Sequence, residues 1–214
     1  MVKEHIVIWG ASGHAMVVAD IIRLRRKFSI YGFIDDINPD RKNEMFSRER
    51  ILGGTEVLDT LEKGVHRFII AIGDCKARIE KARIIKQAGF DLISAIHPSS
   101  IIASDVLIGE GSVIAAGAVI NPGCKIGDNV IINTSAVIDH ECVINDGSHI
   151  CPGANLAGNV TIGESSWIGI GSIIKEKIRI GNNSFIGAGS LVLKDIPDNV
   201  VAFGSPAKVM KSNE

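Results

Sequence analysis

VLIGEG SVIAAG AVINPG CKIGDN VIINTS AVIDHE CVINDG SHICPG ANLAGN VTIGES SWIGIG SIIKEK IRIGNN SFIGAG SLVLKD, residues 106–195, divides into fifteen sixes without a slip. The third place is Ile thirteen times, Leu156 once and Val192 once, and SIIASD (100–105) carries the register one hexad further back. A fixed period over so many repeats decides the architecture before any single residue does. Six residues hold one short strand and one turn, and three hexads complete a coil. The third-place side chain points inward, so columns of Ile fill a triangular prism. Gly, Asn and Asp take the tight corners, where left-handed backbone is needed. Each buried Ile contributes about 1.5–3 kcal/mol, and the sum over the repeats works against the entropy of ordering the chain. The prism needs no second core, because each coil covers the next.

Upstream of His97-Pro98 the period changes. HIVIW, IYGFID, RFIIAIG (67–73) and FDLISAI read as strands. AMVVADIIRL and DCKARIEKARIIKQAG carry apolar residues at helical spacing, and Gly89 stops the second of these. Strands alternating with helices predict a small parallel α/β sheet. The polar stretch DINPDRKNEMFSRERILGG (36–54) reads as a mobile loop over one sheet edge. The domains are therefore set at 1–98, 99–195 and a closing segment, 196–214.

Composition narrows the function. The 214 residues are 46% hydrophobic and 22% charged, with a formal net charge of −1, an ordinary globular balance. No Lys/Arg cluster amounts to a nucleic-acid footprint. The densest basic run, RLRRK (Arg23 to Lys27), reads as the solvated end of the first helix, where cations suit the dipole. The apolar runs are too short to span a bilayer, and MVKEHIVIWG passes straight into a strand without a signal peptide. A cytoplasmic protein is expected. The cysteines at 75, 124, 142 and 151 form no C-x-x-C, so no metal is expected. Cys124 and Cys142, eighteen apart, fall on one corner of adjacent coils, at a strand spacing of ~4.8 Å that a disulfide can bridge. Stacked reduced thiols are the expectation.

One corner breaks the habit of small residues. AVIDHE sets His140 between Asp139 and Glu141, and His149 follows half a coil later. Polar turn residues on a solvated corner are the plain reading. The chemical one is a base: a carboxylate beside an imidazole fixes its tautomer, and histidine takes up protons near neutral pH. Cys142 is a weaker nucleophile candidate, since the first place of a hexad packs along the wall. At the other end, GASGH (10–14) joins a strand to a helix but is not G-x-G-x-x-G. Three readings stand: a structural turn; an NAD site with Asp35 or Asp36 on the ribose; or a cradle in which the glycines admit a pyrophosphate to helix N–H groups. In the last, His14 reaches phosphate or sugar.

The hexads resemble the left-handed β-helix of the hexapeptide acyltransferases, and the handedness comes from that resemblance. INTSAVIDHECVINDGSHICPGANLAGNVTIG together with GASGH is similar to one branch: bacterial acetyltransferases acting on the 4-amino group of nucleotide-linked dideoxy sugars. A neighbouring branch is that of the sialic acid O-acetyltransferases. The resemblance implies a Rossmann-like α/β domain holding the nucleotide sugar, followed by a left-handed parallel β-helix that uses acetyl-coenzyme A without a metal. It implies that His140 is the general base and Glu141 polarises it. His149 contacts acetyl-coenzyme A, and the Gly158 N–H meets the thioester oxygen. Ile170 and Ala188 line the coenzyme groove between two prisms of a homotrimer. Ser12, Gly13 and His14 match sugar-phosphate contacts, Asp35 and Asp36 nucleoside contacts, and Gly73 the end of the third strand. There AIGD replaces the family's usual AIGN, which bears on which nucleotide is preferred. VVAFGSPAKVMK resembles the closing G-x-P-A-K segment, which caps the last coil or touches coenzyme A. The implied reaction runs in a ternary complex. An O-acetyltransferase on sialic acid, or an inert trimeric scaffold, are the other functions these parts fit.

Overall fold

Each hexad closes as a two-residue strand and a corner. Val119–Ile120 pairs in parallel with Val137–Ile138, and that strand with Asn155–Leu156, so each step up the ladder joins residues eighteen apart. The steps build three parallel sheets. One runs from Ile101–Ile102 to Leu191–Val192, and the second from Leu107–Ile108 to Arg179–Ile180. The third climbs from Val113–Ile114 through His149–Ile150 and Trp167–Ile168 to Phe185–Ile186. The third-place residues from Ile114 to Val192 are at most 3% exposed. Ile108, in the first coil, is only half-buried.

Two regularities complete the prism. From Ser112 on, the first place of a hexad is buried, and at Ser112, Cys124, Cys142, Ser148, Ser166 and Ser172 the side chain donates to a carbonyl fifteen residues on. Ser112 bonds Gly127, Ser148 bonds Gly163 and Ser166 bonds Gly181 at 2.6–2.8 Å. The sixth place takes left-handed backbone, as in Gly123, Glu141, Asn159 and Lys177. Beyond the repeats, Val200–Gly204 adds to the third sheet beside Phe185–Ile186 and turns back antiparallel into Ala207–Ser212. This hairpin covers an open edge that would otherwise template another chain.

These coordinates come from a computed structural model that describes residues 4–63 and 66–213. Met1–Lys3, part of the expectation about the start of the chain, lie outside them. The prism belongs to a unit spanning Ser99–Glu214, and Met1–Pro98 forms a second unit. In the latter, β1 (His5–Trp9) lies between β2 (Ser29–Ile34) and, as numbered along the chain, β5 (His66–Ile70), parallel to both. Helix α1 (Gly13–Arg25) follows β1, and α2 (Cys75–Gln87) follows β5. Gly89, at φ +83°, ends the second helix as expected.

Three expectations for this unit are corrected. Residues 36–54 are not all loop: β3 (Met45–Phe46) and β4 (Glu49–Gly53) form a hairpin, and β4 joins β2 in parallel. Ile51 is fully buried there, a single apolar anchor in a polar stretch, which periodicity does not register. FDLISAI forms no long strand. Leu92 makes one bridge to Phe68, and only Ala95–Ile96 is extended. The basic run also divides. Arg23 reaches Ser47 and Glu49 on the hairpin instead of remaining solvated. Among the described residues no helix is long and apolar enough to cross a membrane.

Candidate active site

His140 stands on the corner between the first and second sheets. Asp139 sets that corner: its carboxylate accepts the Asn121 amide at 2.9 Å and the His140 N–H at 2.8 Å. These two bonds, the Asn121 one first, hold the Asp139 carboxyl below the usual carboxylate range. Glu141 Oε2 lies 3.1 Å from His140 Nδ1. With the proton on Nδ1 pointing at the carboxylate, Nε2 is left as the basic nitrogen. Both side chains are exposed.

One coil on, the eighteen-residue step puts Gly158 under the ring. A Cβ at Gly158 would sit 2.5 Å from His140 Cε1 and Nε2. Only a residue without a side chain leaves the imidazole this seat. Glu141 carries φ 59° in a place otherwise given mainly to Gly, Asn and Ser, a strained choice for a glutamate.

His149 lies on a different face, in the third sheet, and is 5% exposed. Asn133 Oδ1 accepts the Thr134 N–H at 2.8 Å, which turns Nδ2 towards His149 Nε2 at 3.1 Å. The ring packs on Trp167 with centroids 4.2 Å apart, and Trp167 stacks on Phe185 at 5.9 Å. This aromatic ladder was not anticipated; W and F recur at the second place of hexads eighteen apart, which is the signal that would have found it. Ile170 and Ala188 are exposed and stacked on the corner between the third and first sheets. One prism therefore joins His140, Glu141 and Gly158, and separates them from His149, Ile170 and Ala188.

Cys142 follows the first-place rule. Its thiol is buried and donates to the Ala157 carbonyl at 3.2 Å, as serines do elsewhere. Burial pushes its pKa up to about 12. A protonated thiol in that position is no nucleophile. Cys124 and Cys142 are both free.

In the α/β unit, the ends of β1, β2 and β5 converge. Gly10 N–H bonds Ile34 O at 2.8 Å, and Ala71 N–H bonds Trp9 O at 2.7 Å. Gly10, at φ +124°, lies so close to β5 that a Cβ would meet Ala71 O at 2.6 Å. At Gly13 and Gly73 an added Cβ would meet only open space. Ser12 is the N-cap residue of α1, without a side-chain capping bond. His14 is pushed down to about 4 by burial and, second, by the Arg78 charge, so it is neutral at physiological pH.

The two aspartates are both engaged. Asp35, 5% exposed, accepts from the backbone of Ile37 and Asn38, from the Asn38 amide, and from Arg41 at 2.7 Å. Arg41 also donates to Ala11 O at 3.0 Å, tying residues 35–41 to the glycine turn. Asp36 binds the Trp9 indole at 3.1 Å and the Lys81 ammonium. Burial opposes its charge, but Lys81 and Trp9 prevail and hold the carboxyl low. A cavity of about 430 Å3 in this unit lies elsewhere, between Ile21, Arg25, Phe28 and Ile93, and takes in none of these residues. Among the described residues no cluster of three or more His, Cys, Asp or Glu is placed to hold a metal ion.

Comparison with known proteins gives this arrangement its class. Residues 5–85 match the PglD N-terminal domain family, and residues 159–194 the bacterial transferase hexapeptide family of six repeats. The acetyltransferase domain of PglB from Neisseria gonorrhoeae is 33% identical with a TM-score of 0.92, over 97% of this chain and all of that one. Perosamine N-acetyltransferase from Caulobacter crescentus, solved with CoA and GDP-perosamine as a histidine-to-asparagine variant, is 36% identical, TM-score 0.92, over 97% of both chains. UDP-N-acetylbacillosamine N-acetyltransferase of Bacillus subtilis is 35% identical over 117 residues. The matched part spans about half of that curated relative, 52% of its length. The prism is thus the left-handed β-helix, and the chain belongs to the hexapeptide-repeat family of sugar N-acetyltransferases.

Proposed function

We propose that this protein transfers acetyl from acetyl-coenzyme A to the 4-amino group of a nucleotide-linked 4-amino-4,6-dideoxy sugar. The observation that carries this reading is His140, bonded through Nδ1 to Glu141 and seated over Gly158. In the reaction, the amine attacks the thioester carbonyl while His140 Nε2 removes its proton. The oxyanion that develops meets the Gly158 N–H. Coenzyme A leaves as the thiolate and takes the proton back from His140. No covalent enzyme intermediate is required, and alignment of two bound substrates supplies much of the rate.

The separation of the two residue sets within one prism supports a homotrimer. His149, Ile170 and Ala188 of one prism would face His140 and Gly158 of the next across the groove that takes acetyl-coenzyme A. The outward places of the first sheet fit such packing: Ile101, Val119, Val137, Ile173 and Leu191 are apolar, and Asn155 alone is polar. In the α/β unit, Ser12, Gly13, His14 and Gly73 would cradle the pyrophosphate. Asp36 lies at the nucleoside end, and Asp35 acts through the loop it organises. The reading places the enzyme in the cytoplasm, with acetyl-coenzyme A.

Release of free thiol tests the proposal. Protein and acetyl-coenzyme A are mixed with UDP-, dTDP- and GDP-linked 4-amino sugars, and with sialic acid. Release with one amino sugar is expected. Release only with sialic acid would replace the reading with O-acetylation; failure to bind acetyl-coenzyme A would leave a scaffold.

A further inference from the structure

The cavity in the α/β unit takes no part in the site described above. Its volume, about 430 Å3, lies within the range of small-ligand sites, about 300–1,000 Å3. Ile21 and Ile22 of α1 and Ile93, all buried, form its apolar wall together with half-buried Phe28. Three cations line the same space, Arg25, Lys27 and Arg67, and no carboxylate is among the lining residues. Arg25 and Lys27 are exposed and Arg67 is half-buried, so the charges lie towards solvent and the hydrocarbon lies inside. The C-terminal end of the α1 dipole accounts for cations at Arg25 and Lys27. It accounts neither for Arg67, which comes from β5, nor for the hollow between them. Arg67 also meets Glu4 at 3.2 Å, a partly exposed pair of the kind that costs little to rearrange. Lys27 lies over the Phe28 ring, 5.0 Å from its centroid, which keeps that cation at the edge of the apolar wall. A purely apolar ligand gains nothing from the cations, and an inorganic anion gains nothing from the hydrocarbon. An alkyl chain ending in one anionic group gains from both.

We propose that this cavity binds a small free amphiphilic anion, an alkyl chain of medium length ending in a phosphate or carboxylate. The chain lies against Ile21, Ile22 and Ile93, and the head group meets Arg25, Lys27 and Arg67. This is a second site, separate from the glycine turn. The cavity takes in the last turn of α1 and the start of β5, whereas the glycine turn lies at the first turn of α1 and the end of β1. The thirteen residues of α1 hold the two apart by about 20 Å. The amphiphile and a ligand at the glycine turn therefore bind together, without competing.

Calorimetric titration with butyl, hexyl and octyl phosphate tests this, with inorganic phosphate, octanol and octyltrimethylammonium as controls. One octyl phosphate per chain is expected, with affinity rising roughly two- to fourfold per methylene and all three controls much weaker. The double variant Arg25→Glu, Lys27→Glu changes two exposed positions outside the acetyl-transfer machinery. It should bind octyl phosphate about tenfold more weakly, with melting temperature and turnover unchanged. Added UDP or GDP should leave octyl phosphate affinity as it was. Equal affinity for octanol, or affinity independent of chain length, overturns the proposal. So does undiminished binding in the folded double variant, or displacement by UDP or GDP. If the double variant does not fold, the ligand series on the unmodified protein decides alone. Flotation with phosphatidic acid vesicles, without stoichiometric binding of octyl phosphate, would reveal only an attraction of surface cations to a lipid surface and overturns it too.

Discussion

His140 depends on its neighbours on two sides: Glu141 at Nδ1, and the bare backbone of Gly158 beneath Nε2. On the proposed role of His140 as base, His140→Ala lowers kcat by roughly 10²–10⁴, with acetyl-coenzyme A affinity nearly unchanged; steady-state kinetics and titration of the coenzyme check this. Gly158→Ala is the subtler probe. A methyl group there displaces the imidazole, so kcat falls while the melting temperature barely moves. Cys142 gives a pH prediction with a definite sign. Its thiol is raised in the folded state to about 12, so folding favours the protonated form. That contribution is complete below the ordinary cysteine pKa and is lost as pH rises through about 9 to 12. Cys142→Ser donates the same bond without titrating. Its melting temperature should fall less between pH 8 and 10.5 than that of the parent, with activity retained. His140 and Glu141 stood out in AVIDHE, whereas Gly158 in ANLAGN came only from the family resemblance, and the structure shows it one coil on, beneath the His140 ring. That Asp35 is consumed by Asn38 and Arg41 was not legible, since the partners lie in a loop whose path no period dictates.

At the scale of the element, the corners are where strain and function compete. Glu141 and Lys177 share the left-handed sixth place of the same corner, at φ 59° and 62°. Left-handed backbone costs an ordinary residue about 1–2 kcal/mol, partly offset against glycine by glycine's own entropy. Lys177→Gly should stabilise by roughly 0.5–1 kcal/mol and leave turnover intact. Glu141→Gly should stabilise similarly and lose activity. Denaturant melts paired with turnover measurements distinguish the two; stabilisation without loss of activity in Glu141→Gly would deny that residue its role. The helices and β1, β2 and β5 followed from apolar spacing. β4 did not, because one buried Ile51 pairs it to β2, and pairing to a distant strand leaves no local pattern.

For the whole molecule, the apolar outward row of the first sheet predicts association. The protein should run at three times its 22.8 kDa chain mass in size exclusion with light scattering. Ile173, 52% exposed in the single chain, is a safe place to test it. Ile173→Glu should yield a folded monomer without activity, because each groove then lacks its second wall. A monomeric parent, or an active monomeric variant, would refute shared sites.

The sequence by itself determined the prism, its register and its corners. These follow from a six-residue period, which needs only nearest-coil contacts and so is written locally. Only the tertiary structure decided that Cys142 is an inert hydrogen-bond donor, that Asp35 and Asp36 are already engaged, and that Arg25, Lys27 and Arg67 line one apolar cavity. Those facts depend on burial and on which distant groups meet. Such meetings are set by packing across the sheet, not by any spacing along the chain.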